Sequence, residues 1–177
     1  MEAEQSSSSD DQETVTWLRL TTRRVVTSFL GTLARSYKWQ RIYLVSPWIS
    51  SFGEECGITF PQFLKRLKDD NTTVYVVTRP PEHPWHSSAV EDIARTGQAN
   101  IVFVPSLHTK LYCADTAQGS FALLGSANLT SRSLNNREIG VLIRSVSAGK
   151  QIVKNLFLEA ADLYRSKDRR LMTQRKM

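Results

Sequence analysis

A histidine and a lysine two residues apart, His108 and Lys110, begin the segment that most constrains how this chain can fold. They lie between two apolar, β-prone runs, Asn100–Pro105 and Phe121–Gly125, so both residues are predicted on a strand. Residues two apart on a strand point to the same face, and the imidazole and the ammonium are therefore expected to project together. Asp115 has the opposite parity, which favours a structural role over a catalytic one.

A second polar group follows the next apolar run. Ser126 and Asn128 are again two apart, and they come directly after the predicted strand ends at Gly125. Small residues at such a position allow backbone N–H groups to approach an anion. With His108 and Lys110, these side chains supply an imidazole, an ammonium, a hydroxyl and a carboxamide. Such a set is suited to attacking and holding a phosphodiester.

The order of these residues resembles the signature of the phospholipase D superfamily. The pattern H-x-K-x-x-x-x-D from His108 to Asp115 is followed by G-S-x-N, and the N-R-E of residues 136–138 is similar to the N-x-E that often comes next. Ser46-Pro-Trp48-Ile, after an apolar strand, resembles an early segment of that family. The resemblance covers residues 44–143 and implies a phospholipase D-like fold with one motif copy per chain.

The resemblance also implies a role for each residue. His108 attacks phosphorus and forms a covalent phosphohistidine that water resolves, and Glu138 holds the ring nitrogen that does not react. The predicted catalytic residues are thus His108, Lys110 and Glu138. The predicted phosphate-binding residues are Lys110, Ser126 and Asn128, and Asp115 is a structural member of the motif.

Neither a metal nor another cofactor is predicted. Two-metal nucleases need clustered carboxylates, whereas the acidic residues here include adjacent pairs that diverge in a helix or strand: Asp69-Asp70, Glu91-Asp92 and Glu54-Glu55. Cys56 and Cys113 do not have the spacing of a zinc site, and His83 with His86 is a short-range pair in a proline-rich segment. Two cysteines without an export signal indicate reduced thiols and a cytoplasmic location.

A homodimer is predicted because only one motif copy is present. In the family that the motif resembles, two copies form one site, in which one histidine attacks and the other protonates the leaving group. Neither His83 nor His86 is followed two residues later by lysine, and no second G-S-x-N occurs. Two chains that join their half-sites across a two-fold axis would supply the second histidine.

Charge divides the chain into three parts. Residues 1–14 hold five of the 17 acidic residues and none of the 23 basic ones, so the rest carries an excess of 11 positive charges. This Ser-rich, acidic start predicts a disordered tail. Residues 15–166 are the predicted phospholipase D-like catalytic domain, and residues 167–177 form a basic tail that is either a solvated end or a phosphate-backbone contact. A polyanion such as DNA or RNA is the expected partner.

Gly, Pro and apolar periodicity predict strands that alternate with helices. The predicted strands are Arg41–Ser46, Thr73–Thr78, Asn100–Pro105, Lys110–Ala114, Phe121–Gly125 and Glu138–Arg144, and the predicted helices are Thr22–Lys38, Phe60–Lys68, Ala89–Thr96 and Ala148–Tyr164. Alternation followed by uninterrupted strands indicates an α/β fold, with a mixed β-sheet flanked by helices on both faces.

Two predicted helices carry more specific signals. The apolar run Val25–Ala34 is too short to cross a bilayer, so it predicts an amphipathic core helix, whose apolar face reaches Tyr37, and no membrane anchor. Ser88 with Glu91 forms a capping box for the third helix, and Gly97 ends that helix.

Three functions are compatible with these patterns. The leading hypothesis is a metal-independent endonuclease that cleaves DNA or RNA. A phospholipase D or phosphatidyltransferase that acts on lipid is the rival enzyme, and a nucleic-acid-binding subunit of a restriction, antiviral or repair complex is the third. Trp48 and Trp85 are either base-stacking platforms or core residues.

Overall fold

The structure, a computed structural model, describes residues 16–22, 24–134, 136–145, 151–166 and 170–171. The predicted disordered tail, residues 1–14, lies outside the described residues, as does most of the predicted basic tail, residues 167–177. Nearly all described elements fall within residues 15–166, the predicted catalytic domain.

One sheet and four helices make up the described part of the chain. The strands are β1 (Thr16–Thr21), β2 (Trp39–Val45), β3 (Thr73–Thr78), β4 (Ala99–Phe103), β5 (Leu111–Thr116), β6 (Gly119–Gly125), β7 (Gly140–Ser145) and β8 (Arg170–Leu171). The helices are α1 (Val25–Arg35), α2 (Phe60–Asp69), α3 (Pro84–Arg95) and α4 (Gln151–Tyr164). The strand order is β1-β7-β6-β5-β2-β3-β4-β8. Strands β2, β3 and β4 are parallel neighbours, and the other pairings are antiparallel.

Helices cover both faces of this mixed sheet, which confirms the predicted fold class. On one face α1, α2 and α3 bury apolar side chains such as Phe29 and Phe63. On the other face α4 buries Phe157, whose ring meets Tyr43 edge-on, while Tyr43 stacks on Tyr75. Within the described ranges, none of the helices combines the length and the apolarity needed to cross a membrane.

The two edge strands are not predicted from the sequence. Strand β1 pairs with β7, and its Leu18 and Leu20 are each 60% exposed. At the other edge, β8 pairs with β4 and places Arg170 opposite Phe103, so part of the predicted basic tail belongs to the sheet. An edge strand that finds its partner far along the chain has no local pairing signal, which explains why periodicity misses it.

Helix α1 is shorter than the predicted Thr22–Lys38. Arg24 before it has a left-handed backbone with φ 54°, and Ser36 after it is extended, so neither continues the helix. The apolar face of α1 is buried as predicted. Tyr37, however, lies beyond the helix and is 81% exposed, so its predicted place on that face is wrong.

Helix α3 begins at Pro84 rather than at Ala89. Ser88 and Glu91 therefore lie inside the helix, and the predicted capping box is wrong. Proline at the first helical position needs no N–H partner, and its fixed φ suits a helix start. Gly97 follows the helix with φ 75°, in agreement with the predicted stop.

Candidate active site

The motif residues meet at the edge of the sheet that is formed by the ends of its central strands, not at an edge strand. Because β2 and β3 are parallel, their carboxyl ends share the edge at which antiparallel β5 begins, β6 ends and β7 begins. The connecting segments at this edge are residues 46–48 after β2, 79–83 after β3, 107–110 before β5 and 126–139 between β6 and β7. The topology thus collects side chains that are distant in sequence.

His108 and Lys110 lie just before β5, so their predicted place on a strand is wrong. The strand begins at Leu111, and the carbonyl of Lys110 accepts the N–H of Gly125 on β6 at 3.3 Å. The two side chains nevertheless meet, with Lys110 Nζ 3.3 Å from His108 Nδ1. His108 is exposed and Lys110 is half-buried, so the pair is open to a substrate.

The ammonium of Lys110 lies in a mixed electrostatic environment. Burial lowers its pKa, the carboxylate of Glu138 acts in the opposite direction, and the guanidinium of Arg79 lowers it further. Burial and a neighbouring cation both disfavour the charged form. An anion such as a phosphate, bound beside Lys110 and Arg79, would offset both effects.

Ser126 and Glu138 face each other at the base of the β6–β7 connection. The hydroxyl of Ser126 donates to Glu138 Oε2, and its oxygen accepts the N–H of Ile139 at 3.0 Å. Strand β7 begins at Gly140, so Glu138 precedes the strand on which it was expected. Among the described residues, the carboxylate of Glu138 pairs with Ser126 and not with the ring of His108.

Asn128 lies on the same connection, which the sheet holds in place. Its neighbour Leu129 donates a backbone N–H to Ser46 Oγ at 3.0 Å, and the carbonyl of Ala127 accepts the hydroxyl of Tyr112 at 2.7 Å. Asn128 Oδ1 is buried and has no hydrogen-bond partner in the part of the chain that the structure describes. A buried amide oxygen without a partner is costly unless a ligand donates to it.

Asp115 lies at the opposite end of β5 from this edge. Its Oδ2 pairs with the guanidinium of Arg41 at 2.5 Å, and its Oδ1 accepts the hydroxyl of Ser120 at 2.6 Å. Arg41 also lies over the ring of Phe157, 5.1 Å from its centroid. The carboxylate thus links Arg41 on β2 with Ser120 on β6, away from the other motif residues.

Arg79 is a site residue that the sequence patterns do not identify. It follows β3, and its Nε donates to the carbonyl of Leu107 at 2.8 Å, next to His108. Its guanidinium also lies 5.6 Å from the ring centroid of Trp48. Arg79 therefore connects the histidine-bearing segment with the end of β2. Its only sequence signal is a cation directly after a predicted strand.

An aromatic cluster lies beside these charged groups. The ring of Trp85 stacks on His83 at 5.4 Å and on His86 at 5.7 Å, and Trp48 contacts all three rings at 5.6–6.2 Å. His86 is fully buried, and its Nε2 lies 2.9 Å from the hydroxyl of Thr78. Burial and, secondarily, His83 lower the pKa of His86 to about 4, so this imidazole is neutral at neutral pH.

A cavity of about 450 Å³ opens between this aromatic cluster and the motif residues. Trp48, His83 and Trp85 line its aromatic part. Asn128 and Glu138 line it as well. The cavity therefore joins two predicted site residues to Trp48 and Trp85, for which the sequence leaves base stacking and core packing as alternatives.

The remaining candidate ligands are dispersed. Cys56 and Cys113 are free thiols buried at separate places in the two cores. Within the described ranges, no three His, Cys, Asp or Glu side chains lie close enough together to hold a metal ion.

Comparisons of sequence and fold place the chain among known proteins. Residues 41–158 match the family model described as "Cardiolipin synthase, PLD-like domain". No curated protein sequence is detectably similar to the chain. The fold is similar to that of the phospholipase D family member Nuc from Salmonella typhimurium, with a TM-score of 0.65 and 12% identity over 90% of this chain and 100% of that chain.

Two further solved structures share this fold. NucT from Helicobacter pylori has a TM-score of 0.53 and 15% identity, and the match covers 85% of this chain and 94% of that chain. Phosphatidylserine synthase from Haemophilus influenzae has a TM-score of 0.56 and 14% identity over 89% of this chain and 40% of that chain. The family match covers most of the described chain and spans the segment from His108 to Glu138, and the chain therefore belongs to the phospholipase D superfamily.

Proposed function

We propose that this protein is a metal-independent nuclease that cleaves a DNA or RNA backbone. The observation that carries the proposal is the exposed His108–Lys110 pair, with its 3.3 Å contact, at the sheet edge that also presents Ser126, Asn128 and Glu138. An imidazole is a nucleophile suited to phosphorus, and the ammonium and amide groups supply charge and hydrogen bonds for the phosphate oxygens. The excess of basic residues outside residues 1–14 favours a polyanionic substrate.

The first step is attack by His108 Nε2 on phosphorus. The new N–P bond forms as the bond to the leaving oxygen breaks, which gives a covalent phosphohistidine. Lys110, Ser126 and Asn128 bind the non-bridging oxygens in this step. The Ser126 hydroxyl would turn from Glu138 to the phosphate, and Asn128 would donate through its amide N–H groups. Electrostatic stabilisation of this kind is stronger in a partly buried site than in bulk water, and Lys110 is half-buried.

Attack through Nε2 requires the proton of the ring on Nδ1. In the structure Nδ1 faces Lys110, whose ammonium is a donor and therefore favours the opposite tautomer. A bound phosphate would draw the ammonium toward its oxygens. Nδ1–H would then need an acceptor, and the carboxylate of Glu138, which influences the pKa of Lys110, is the group proposed for it.

The leaving oxygen needs a proton that the attacking imidazole cannot give. We place the donor on a second copy of the chain, whose His108 would protonate the leaving group and later activate the water that cleaves the N–P bond. The product is a phosphomonoester with a free hydroxyl on the other fragment. This division of labour requires a homodimer with one shared site.

An exposed apolar surface beside the site suits such a dimer. Ile139 directly follows Glu138 and is 55% exposed. On the adjacent strands, Leu20 and Leu124 pair with Val141 from either side and form one row across the sheet. Contiguous exposed apolar side chains mark interaction sites. We also place the protein in the cytoplasm, because Cys56 and Cys113 are free thiols.

Incubation with a panel of substrates tests the proposed reaction. Purified protein would be mixed with single-stranded DNA, duplex DNA, RNA and phosphatidylcholine vesicles, each with and without a chelator. We expect cleavage of nucleic acid that the chelator leaves unchanged. Cleavage that needs added magnesium would contradict the mechanism, hydrolysis of the vesicles alone would favour the lipid enzyme, and binding without cleavage would favour a subunit of a larger defence or repair complex.

Subunit mixing tests the shared site. Wild type and His108→Ala protein would be exchanged at a range of ratios, and we expect the activity to fall as the square of the wild-type fraction, because a mixed dimer has only one of its two histidines. Exchange with wild type that carries a different affinity tag is the control and should leave the activity constant. A linear fall would show that each chain holds a complete site.

Gly125 provides a test of how tightly the base of the β6–β7 connection is packed. A Cβ at Gly125 would overlap the carbonyl oxygen of Ile139 and lie 2.8 Å from Gly140 Cα. We expect Gly125→Ala to lower the free energy of unfolding by about 1–3 kcal/mol and the turnover by more than about tenfold, because Ser126 and Glu138 must shift. Urea unfolding and initial rates measure the two effects.

Gly31→Ala is the matched control. Gly31 lies in helix α1, and apart from the helix backbone its Cβ would meet no atom closer than 3.7 Å. We therefore expect unchanged turnover and a gain of about 0.5–1 kcal/mol in the free energy of unfolding. Equal behaviour of the two variants would contradict the tight packing described for Gly125.

A further inference from the structure

The aromatic part of the cavity has no role in the phosphodiester chemistry proposed above. Trp85 is 44% exposed, although a tryptophan of this size is normally well buried or at an interface. Its ring lies nearly parallel to that of His83, with an interplanar angle of 16°, and Trp48 is inclined to it at 54°. These three side chains, called here the aromatic wall, line one part of the cavity.

Ring contacts and hydrogen bonds hold the aromatic wall in place. His86 lies beneath Trp85, and the hydroxyl of Thr78 links His86 Nε2 to the carbonyl of Pro47, directly before Trp48. The Trp48 carbonyl accepts the hydroxyl of Ser46 at 2.7 Å. Pre-organised rings lose little conformational entropy when a ligand stacks on them. The wall is therefore suited to binding a flat group.

The wall adjoins the position proposed for the phosphate. Asn128 and Glu138 line the same cavity, so a group on the aromatic wall would lie near the phosphate that Asn128 is proposed to bind. Its volume of about 450 Å³ is more than a phosphate alone requires and lies within the usual range of small-molecule sites. A substrate that fills it must carry a flat substituent next to its phosphodiester.

The rest of the cavity lining is polar. Ser131, Arg132 and Asn136 contribute to it. The guanidinium donates hydrogen bonds, and the hydroxyl and the amide both donate and accept them. The edges of a nucleobase offer the complementary groups, but its pairing edge is free only outside a duplex. A lipid tail would leave these polar groups without partners.

From this geometry we infer that the aromatic wall with Arg132 and Asn136 binds an unpaired nucleobase next to the scissile phosphate, so that the substrate class is single-stranded nucleic acid. The inference rests on the proposed nuclease function and narrows it. Base stacking on aromatic side chains tolerates any sequence, and both DNA and RNA present the same π faces. Selectivity for single strands therefore does not require recognition of a particular base.

A double-mutant cycle between protein and substrate tests this inference. Trp85→Ala would be assayed on single-stranded DNA and RNA of one sequence, with a normal or an abasic nucleotide beside the cleaved bond. We expect Trp85→Ala to lower kcat/KM on the normal strands about 5- to 150-fold, the equivalent of about 1–3 kcal/mol per stacked base. Removal of the base should lower the wild-type value by a similar factor and should have little further effect in Trp85→Ala.

Tyr37→Ala is the matched control, because Tyr37 is an exposed aromatic residue outside the cavity. It should retain wild-type kcat/KM, and duplex DNA should be a poorer substrate than either single strand. Equal values for Trp85→Ala and Tyr37→Ala, or a base effect of the same size in Trp85→Ala and wild type, would overturn the inference and leave the nuclease function intact. Absence of nucleic-acid cleavage by wild type would instead remove the proposed function.

In that case the same cycle would be run as binding. Fluorescence anisotropy of the labelled strands gives their affinity for wild type and Trp85→Ala without any turnover. Loss of affinity that depends on both Trp85 and the base would still support the nucleobase site, and independent effects would overturn it.

Discussion

Replacing His108 with alanine is expected to abolish cleavage, with turnover reduced by at least about a thousandfold. The described chain offers no substitute nucleophile at the same place. His86 is fully buried and bonded to Thr78, and His83 is stacked on Trp85. Initial rates on a single-stranded oligonucleotide measure the loss. An acid-labile, alkali-stable phosphoryl label on wild type, absent from His108→Ala, would identify the covalent intermediate.

Thr109→Ala is the matched control, because Thr109 is the exposed residue between His108 and Lys110. It should retain most of the wild-type turnover, and both variants should keep the wild-type circular dichroism and sedimentation. Cleavage by His108→Ala within about tenfold of wild type would exclude His108 as the nucleophile.

Acid is expected to destabilise the protein through His86. Burial lowers the pKa of this imidazole from 6.5 to about 4, so between these pH values the unfolded chain binds more protons than the folded one. The contribution of His86 to stability is therefore complete above pH 6.5 and is lost as the pH falls toward 4. The loss amounts to about 2–3 kcal/mol at pH 4.5, at 1.36 kcal/mol for each pKa unit.

Urea unfolding of wild type and His86→Gln at pH 7 and pH 4.5 isolates this effect. The glutamine amide can still donate to the Thr78 hydroxyl, and it does not titrate. We expect wild type to lose about 2–3 kcal/mol more than His86→Gln over this interval. His83→Gln is the control and should keep most of the wild-type dependence, because His83 is exposed and only a secondary cause of the lowered pKa. Parallel pH profiles for wild type and His86→Gln would contradict the prediction.

Elements with a local signal were predictable from the sequence. Strand β3 has the predicted bounds, Thr73–Thr78, because its β-branched run lies between clear breaks, and helix α2 differs from its prediction by one residue at its end. Strand β1 was not predictable, because its exposed Leu18 and Leu20 acquire a strand environment only through pairing with distant β7. The start of α3 was missed because Pro84 signals a loop as strongly as it signals a first helical position.

The candidate site likewise contains residues that the sequence predicts and residues that only the fold brings together. Motif order along the chain is enough to predict five of the candidate site residues: His108, Lys110, Ser126, Asn128 and Glu138. Arg79 and the aromatic wall are not predictable in this way, because their proximity depends on how β2 and β3 end beside α3. Helical packing also decides that His86 is a buried, neutral core residue while His83 faces the cavity. Spacing alone left both histidines as equivalent members of a short-range pair.

The connection between β6 and β7 leaves the sheet at Gly125 and returns to it at the paired residue Gly140. Ser126 N–H donates to the carbonyl of Ile139 at 2.9 Å, and Gly125 is paired with Gly140, so the two ends are fixed together. Arg132 lies on the outer portion and is exposed, so it can be substituted without moving those ends. Substitution of Arg132 can therefore change which polymer the site selects, while the two ends of the connection keep their positions.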